Sequence, residues 1–247
     1  MAAAVVVAGK QLLHLRGMIR RLFFSLAVLA ALGGAAQSYE RIKVFDSVVE
    51  VQTNGDLLVT ERITVEAELR EIRRGILRDY PTTYRAPDGR RVVIGFDVIS
   101  VERNGNSEQY SVESLWNGKR IRIGSAYSML TRGEHTYTIK YRTTRQVGFF
   151  PGFDELYWNV TGTGWTFEID QVVAMIKLPA DARIQARSFY TGGQGEKGQD
   201  ARVVSEESNI IVFRTTKRLP RENGLTVGIA WQKAVPAFEV CVCPPLP

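Results

Sequence analysis

Period-two alternation constrains this chain more than any other feature. In Leu57–Val65, the residues Val59, Glu61, Ile63 and Val65 fall on one face of an extended strand, and Leu58, Thr60, Arg62 and Thr64 on the other. Comparable β-branched runs recur at 41–51, 92–101, 136–141, 172–178, 209–215 and 225–231. Between them stand turn signals: Asn54-Gly55-Asp56, Pro87-Asp88-Gly89, Asn104-Gly105-Asn106, Asn117-Gly118 and Asn223-Gly224. Asn-Gly suits a tight hairpin because both positions tolerate positive φ. Successive strands and turns without helical crossovers predict an all-β chain, folded as an antiparallel immunoglobulin-like β-sandwich.

One stretch breaks the alternation. Glu66–Ile76 places Leu69, Ile72 and Ile76 at helical spacing, with Glu66 and Arg70 four apart. It predicts a helical turn or short helix, ended by Gly75 and barred from continuing by Pro81. No repeat, low-complexity tract or long linker divides the chain. One β-sandwich domain over 37–236 is expected, then an unstructured tail over 237–247.

Ahead of the strands, Met18-Ile19-Arg20-Arg21 leads into the apolar run Leu22–Ala36. This is the layout of a signal peptide over 1–36, with small residues at the cleavage point and the residues before Met18 reading as an over-extended start. The run is 15 residues long, short of the roughly 20 that cross a bilayer as a helix. A removable leader and an exported domain are expected. The net charge is +6, but Lys10, Arg16, Arg20 and Arg21 lie in the leader, which holds no acid. The remainder shows no basic stripe interleaved with aromatics, which argues against nucleic-acid binding. Cys241 and Cys243, the only cysteines, fall in the tail. The domain must therefore fold by packing without disulfides, and no metal site is expected.

The motifs of the chain carry little chemistry. Gly193-Gln194-Gly195-Glu196-Lys197-Gly198 matches a dinucleotide fingerprint in letters, but that motif needs a helix after it. The segment that follows, Ala201–Ser205, reads as a strand, so a hairpin loop is expected and no nucleotide cofactor. His135 is the one histidine beyond the leader, placed at a strand start and expected at the solvent edge. Glycosidic chemistry would need two facing carboxylates. Asp154 and Glu155 are the candidates, yet adjacent strand residues point to opposite faces, so a partner such as Glu61 or Asp79 would be required. The aromatic segment Phe149–Trp165 could supply a stacking platform for sugar rings or form core. Asn159-Val160-Thr161 is formally a glycosylation acceptor, but it lies inside an expected strand rather than a surface loop and is not expected to be used. Arg73, Arg74 and Arg78 could meet phosphate or carboxylate groups, or pair internally with Glu66, Glu68, Glu71 and Asp79.

Several segments occur in a recognisable order: Phe45-Asp46, Asn54-Gly55-Asp56-Leu57, Val59-Thr60-Glu61, Arg74-Gly75-Ile76 with Arg78-Asp79-Tyr80-Pro81, then Tyr157–Gly162 and Gly164-Trp165. The series resembles bacterial predicted membrane proteins whose exported N-terminal region is domain of unknown function 2207. The likeness covers about Tyr39 to Ala234. It implies a signal peptide, an extracytoplasmic β-sandwich and then transmembrane helices, and it carries over no catalytic activity. After Trp231 this sequence departs from that pattern: the membrane tether is not apparent, and the Pro-rich tail reads as truncated or out of frame, or the chain as a shortened soluble relative.

The resulting expectation is a non-catalytic binding ectodomain in the periplasm or on the outer face of the cytoplasmic membrane, without cofactor. Arg74, Arg78, Asp79, Trp158, Asn159 and Trp165 form the candidate binding surface. The partner is an envelope protein or an anionic or glycan envelope component. An envelope glycan hydrolase using Asp154 or Glu155, and a structural spacer, are the alternatives.

Overall fold

The computed structural model describes residues 39–85, 89 and 91–232. The signal peptide expected over 1–36, the cysteine-bearing tail over 237–247 and most of Pro87-Asp88-Gly89 lie outside the described residues. Seventeen strands make up the described chain. They begin with β1 (Arg41–Val51), β2 (Leu57–Ala67), β3 (Gly75–Pro81), β4 (Thr83–Arg85), β5 (Arg91–Val93) and β6 (Phe96–Arg103). Next come β7 (Asn106–Ser107), β8 (Tyr110–Ser114), β9 (Gly118–Gly124), β10 (Gly133–Thr143), β11 (Val147–Phe149) and β12 (Phe153–Asn159). The last are β13 (Ile169–Lys177), β14 (Ile184–Gly192), β15 (Ala201–Glu206), β16 (Ile210–Thr215) and β17 (Gly224–Gln232). No helix occurs among the described residues, which are all-β.

An eight-stranded sheet in the order β15-β16-β13-β1-β2-β10-β6-β7 forms the backbone of the fold. Its inner face carries Val59, Ile63, Val65, Tyr137, Ile139, Val172, Ile176 and Phe213, all fully buried. Two smaller sheets cover that face. The four-stranded sheet β11-β12-β17-β14 contributes Leu156, Val227 and Ile229 to the core, and Phe189 meets Phe213 edge-on at 6.2 Å. The three-stranded sheet β3-β9-β8 contributes Ile76, Tyr80, Ile121 and Ile123. The opposite face of the large sheet is solvated and holds polar pairs such as Thr64 with Thr136, as one-sided sheets allow.

Local chemistry explains the registers. Gly55 takes φ +82° in the β1–β2 turn, where Asn54 Oδ1 accepts from the Asp56 amide at 3.0 Å. Asn104 and Gly105, with φ of 52° and 80°, turn β6 into β7. The register of β1 on β2 shifts between Ile42 and Val44, so Ile42 and Phe45 both reach the core.

Three expectations are corrected. Pairing is not wholly antiparallel: β13 runs parallel to β1, from Ile42↔Ile169 to Glu50↔Lys177. The cause is a crossover, since 160–168 carries the chain from the four-stranded sheet to the eight-stranded one. Residues 68–74 are not helical. Leu69 has φ +61°, and the amides of Glu68, Arg70, Glu71 and Ile72 all donate to the Glu40 carboxylate at 2.7–3.2 Å. A carboxylate that gathers four amides outcompetes the intrahelical bonds a short helix would make. Finally, His135 is buried, not at the solvent edge, with Nε2 2.8 Å from the Thr131 carbonyl.

Candidate functional site

Alternation on β2 sends Glu61 into the core between Val59 and Ile63, an expensive place for a carboxylate unless it is paired and hydrogen-bonded. Arg78 on β3 meets it with Nε to Oε2 at 2.9 Å and Nη2 to Oε1 at 2.8 Å. Tyr80 donates to Oε2 at 2.8 Å and Tyr141 to Oε1 at 3.0 Å. The remaining guanidinium nitrogen donates to the Asp79 carbonyl at 3.0 Å. Phe45, Tyr80 and Trp165 present their rings to the Arg78 guanidinium at 5.6, 4.3 and 5.7 Å. Burial opposes the charge on Arg78, but the Glu61 carboxylate overcomes it and holds the guanidinium above its usual pKa. Burial, then the Glu61 charge, push both tyrosine hydroxyls well up. Arg78 and the two tyrosines therefore keep their protons near neutrality, and the cluster ties β2, β3 and β10 together.

Beside this brace lies a groove of about 790 Å³. Arg78, Asp79, Trp158 and Asn159, four of the six residues singled out in the sequence, line it. Their exposure differs. Arg78 and Trp158 are buried, at 4% and 8%, and Asp79 is held by Arg120 through two hydrogen bonds of 2.7 and 2.8 Å. Asn159 is exposed, and its Oδ1 accepts from the Gly162 amide. Arg78 and Trp165 are therefore not surface contacts as expected: Arg78 is spent on Glu61, and Trp165, 5% exposed, donates its indole N–H to the Thr161 carbonyl. Arg74 lies elsewhere, in a shallow depression with Arg73 and Arg122. The internal pairing weighed for these arginines is also rearranged, because Glu66 pairs with Lys43, Glu68 with Arg132 and Asp79 with Arg120.

What the groove offers to solvent is mostly aromatic and amide side chains, with the charges of Glu196 and Lys197 confined to one end. Tyr84 and Tyr157 are 44% and 60% exposed, with Phe96, Tyr190, Asn117 and Gln146 also along the walls. The Gly193–Lys197 loop closes one end, its Glu196 carboxylate folded back to accept from the Gly193 amide at 2.8 Å. The loop thus joins a groove wall, and Gly198 pairs back to Thr191 in a hairpin. Asp154 and Glu155 do not line the groove. Asp154 points inward, Glu155 occupies the opposite face of β12, and the suggested partners Glu61 and Asp79 are bound to arginines.

Two features of the site leave little local trace in the sequence. Glu40 carried no motif, yet its carboxylate organises the whole 68–72 loop; a lone acid just ahead of a first strand is the signal available. Tyr84 and Tyr190 leave none either, because they reach the groove from strands far apart in sequence.

Comparison with known proteins adds family and fold. Residues 41–231 match the family model described as "Predicted membrane protein (DUF2207) N-terminal domain". The "Uncharacterized protein YciQ" of Escherichia coli K12 is 27% identical over 172 residues, covering 68% of this chain and 27% of that protein. The chain thus matches about a quarter of that relative's length. Native yeast LTA4 hydrolase is similar in structure with a TM-score of 0.51 at 11% identity, over 85% of this chain and 34% of the enzyme. Its complex with Bestatin gives 0.50 at 11%, over 85% and 33%. At such identity the likeness is one of fold alone. The sequence match spans nearly every described strand, and the chain belongs to the DUF2207 family of predicted membrane protein N-terminal domains.

Proposed function

We propose that this chain is a non-catalytic, extracytoplasmic binding ectodomain, an elaborated immunoglobulin-like β-sandwich whose groove takes a neutral glycan of the cell envelope. The observation that carries the reading is the composition of the groove. Exposed tyrosine rings and amide side chains surround a space of about 790 Å³, while Arg78 and Asp79 on its wall are neutralised by protein partners. Sugar rings offer apolar faces to stack on tyrosine and hydroxyls for amide groups at the rim. An anionic polymer would find only Lys197, at one end, as an exposed cation of this groove, since Arg78 is held by Glu61. The leader pattern over 1–36 and the family's description as membrane proteins support export to the periplasm or the outer face of the cytoplasmic membrane.

Isothermal titration with soluble peptidoglycan fragments and neutral envelope polysaccharides tests the reading. Binding that falls at least about tenfold in Tyr84→Ala with Tyr157→Ala, at an unchanged thermal midpoint, is the expected result. No binding by the intact protein, or turnover of the glycan that disappears in Asp154→Asn, would overturn it.

A further inference from the structure

We infer that the β11–β12 hairpin tip, Phe149-Phe150-Pro151-Gly152-Phe153, is the face this domain lays against a lipid bilayer. The inference is independent of the groove. The tip is a tight hairpin, with the Phe150 amide donating to the Phe153 carbonyl at 3.0 Å. Its three phenylalanines are 64%, 41% and 37% exposed. Phe150 and Phe153 stack at 4.9 Å and 24°, and the Phe149 ring stands over Gly55 of the β1–β2 turn, where an added Cβ would meet it at 2.9 Å. Three large apolar rings on one turn form an exposed patch that water does not favour. Held on paired strands, they form a rigid wedge suited to the boundary between headgroups and acyl chains.

The occupant follows from where the chain goes. Phe153 is registered directly opposite Gln232, the last residue of β17, so the polypeptide leaves the described domain beside this tip. The matched family is the N-terminal domain of predicted membrane proteins, and the match ends at residue 231. An N-terminal domain has the rest of its protein on its C-terminal side, and this end of the domain is the one from which the chain continues. A second exposed pair, Tyr127 and Met129, sits in the loop where Leu130 bonds back to the Arg73 carbonyl. That loop follows β9 and precedes β10, whose first residue, Gly133, pairs with Ala67, whereas Thr143 at the other end of β10 pairs with Leu57 beside the β1–β2 turn. The two patches therefore mark opposite ends of the large sheet, and only one can lead towards the bilayer.

Gly152 is a suitable probe position because a Cβ added there meets nothing within 4 Å. The full chain with Cys241→Ser and Cys243→Ser would carry Gly152→Cys or Tyr127→Cys, labelled with a polarity-sensitive fluorophore. It would be mixed with vesicles of phosphatidylethanolamine containing a minority of phosphatidylglycerol and a spin-labelled quencher lipid. The expected result is a blue shift and strong quenching at position 152 with little change at 127. Adding Phe149→Ser with Phe153→Ser should return the position-152 signal to its value in water. A water-like signal at 152, equal or greater quenching at 127, or quenching that survives the serine substitutions would each overturn the inference.

Discussion

Gly75 and Gly124 face each other across β3 and β9 with no room for a side chain on either. A Cβ on Gly75 would fall 1.8 Å from the Ile123 carbonyl oxygen, and one on Gly124 would fall 1.9 Å from that of Arg74. Both backbones are also in the positive region, at φ 143° and 111°. The glycine that the sequence suggests as a helix terminator instead lets two strands close up at the foot of the strand that carries Arg78. Gly75→Ala or Gly124→Ala should cost about 2–4 kcal/mol in urea unfolding, through strain and strand separation. Gly105→Ala, at φ +80° but in open space, should cost only about 1 kcal/mol.

The Glu61–Arg78 pair should behave as a coupled unit. Arg78→Met or Glu61→Gln alone should destabilise by about 3–5 kcal/mol, because each strands a buried partner. The double variant should lose clearly less than the sum of the two, and a double-mutant cycle by chemical denaturation measures the difference. Arg78→Lys should rescue only part of the loss, since an ammonium cannot reproduce the two-pronged contact.

Acid should loosen the Glu40 loop. Burial works to raise the Glu40 carboxyl, but hydrogen bonds from the amides of Glu71, Arg70, Ile72 and Glu68 hold it below its usual value. A depressed carboxyl contributes stability that is complete above the unfolded value of about 4.3 and drains as pH falls through the lower folded value. Glu40→Gln should cost about 1–3 kcal/mol near neutrality. The two proteins should converge as pH drops below about 4, and thermal midpoints recorded across that range read the convergence.

Ionic strength separates neutral from charged ligands in the groove. With Asp79 and Arg78 already paired, glycan affinity should change little when salt rises from low to high concentration, as expected for stacking and hydrogen bonds. Affinity that falls steeply with salt would point instead to the Arg73–Arg74–Arg122 depression. Arg74→Ala would then remove the binding, while Tyr157→Ala would not.

Much of the architecture was legible in the sequence. The alternation at Leu57–Val65 places the inward residues of β2 correctly, and Asn54-Gly55 and Asn104-Gly105 mark real hairpins. Period two reports which face a residue takes, but not which strand lies alongside, so the parallel β1–β13 pairing left no local trace. The 66–76 spacing mimicked a helix because Ile72 and Ile76 both enter the core, Ile72 from an irregular loop and Ile76 from β3. Of the site, Asp79, Trp158 and Asn159 were visible because they sit in dense motifs. Nothing local told that Arg78 would find its partner 17 positions back in Glu61. Nor could it tell that Tyr84 and Tyr190 would share a wall with Tyr157.

The central position of β1 has a consequence for biogenesis. Its hairpin partner β2 follows at once, but its other edge waits for β13, with Glu50 and Lys177 standing 127 positions apart. Until the intervening residues arrive, one rim of the forming sheet stays open, with its amides and carbonyls ready to recruit any stray extended segment. Closure of the sheet therefore waits on a distant piece of chain, and contacts of such long sequence separation slow folding.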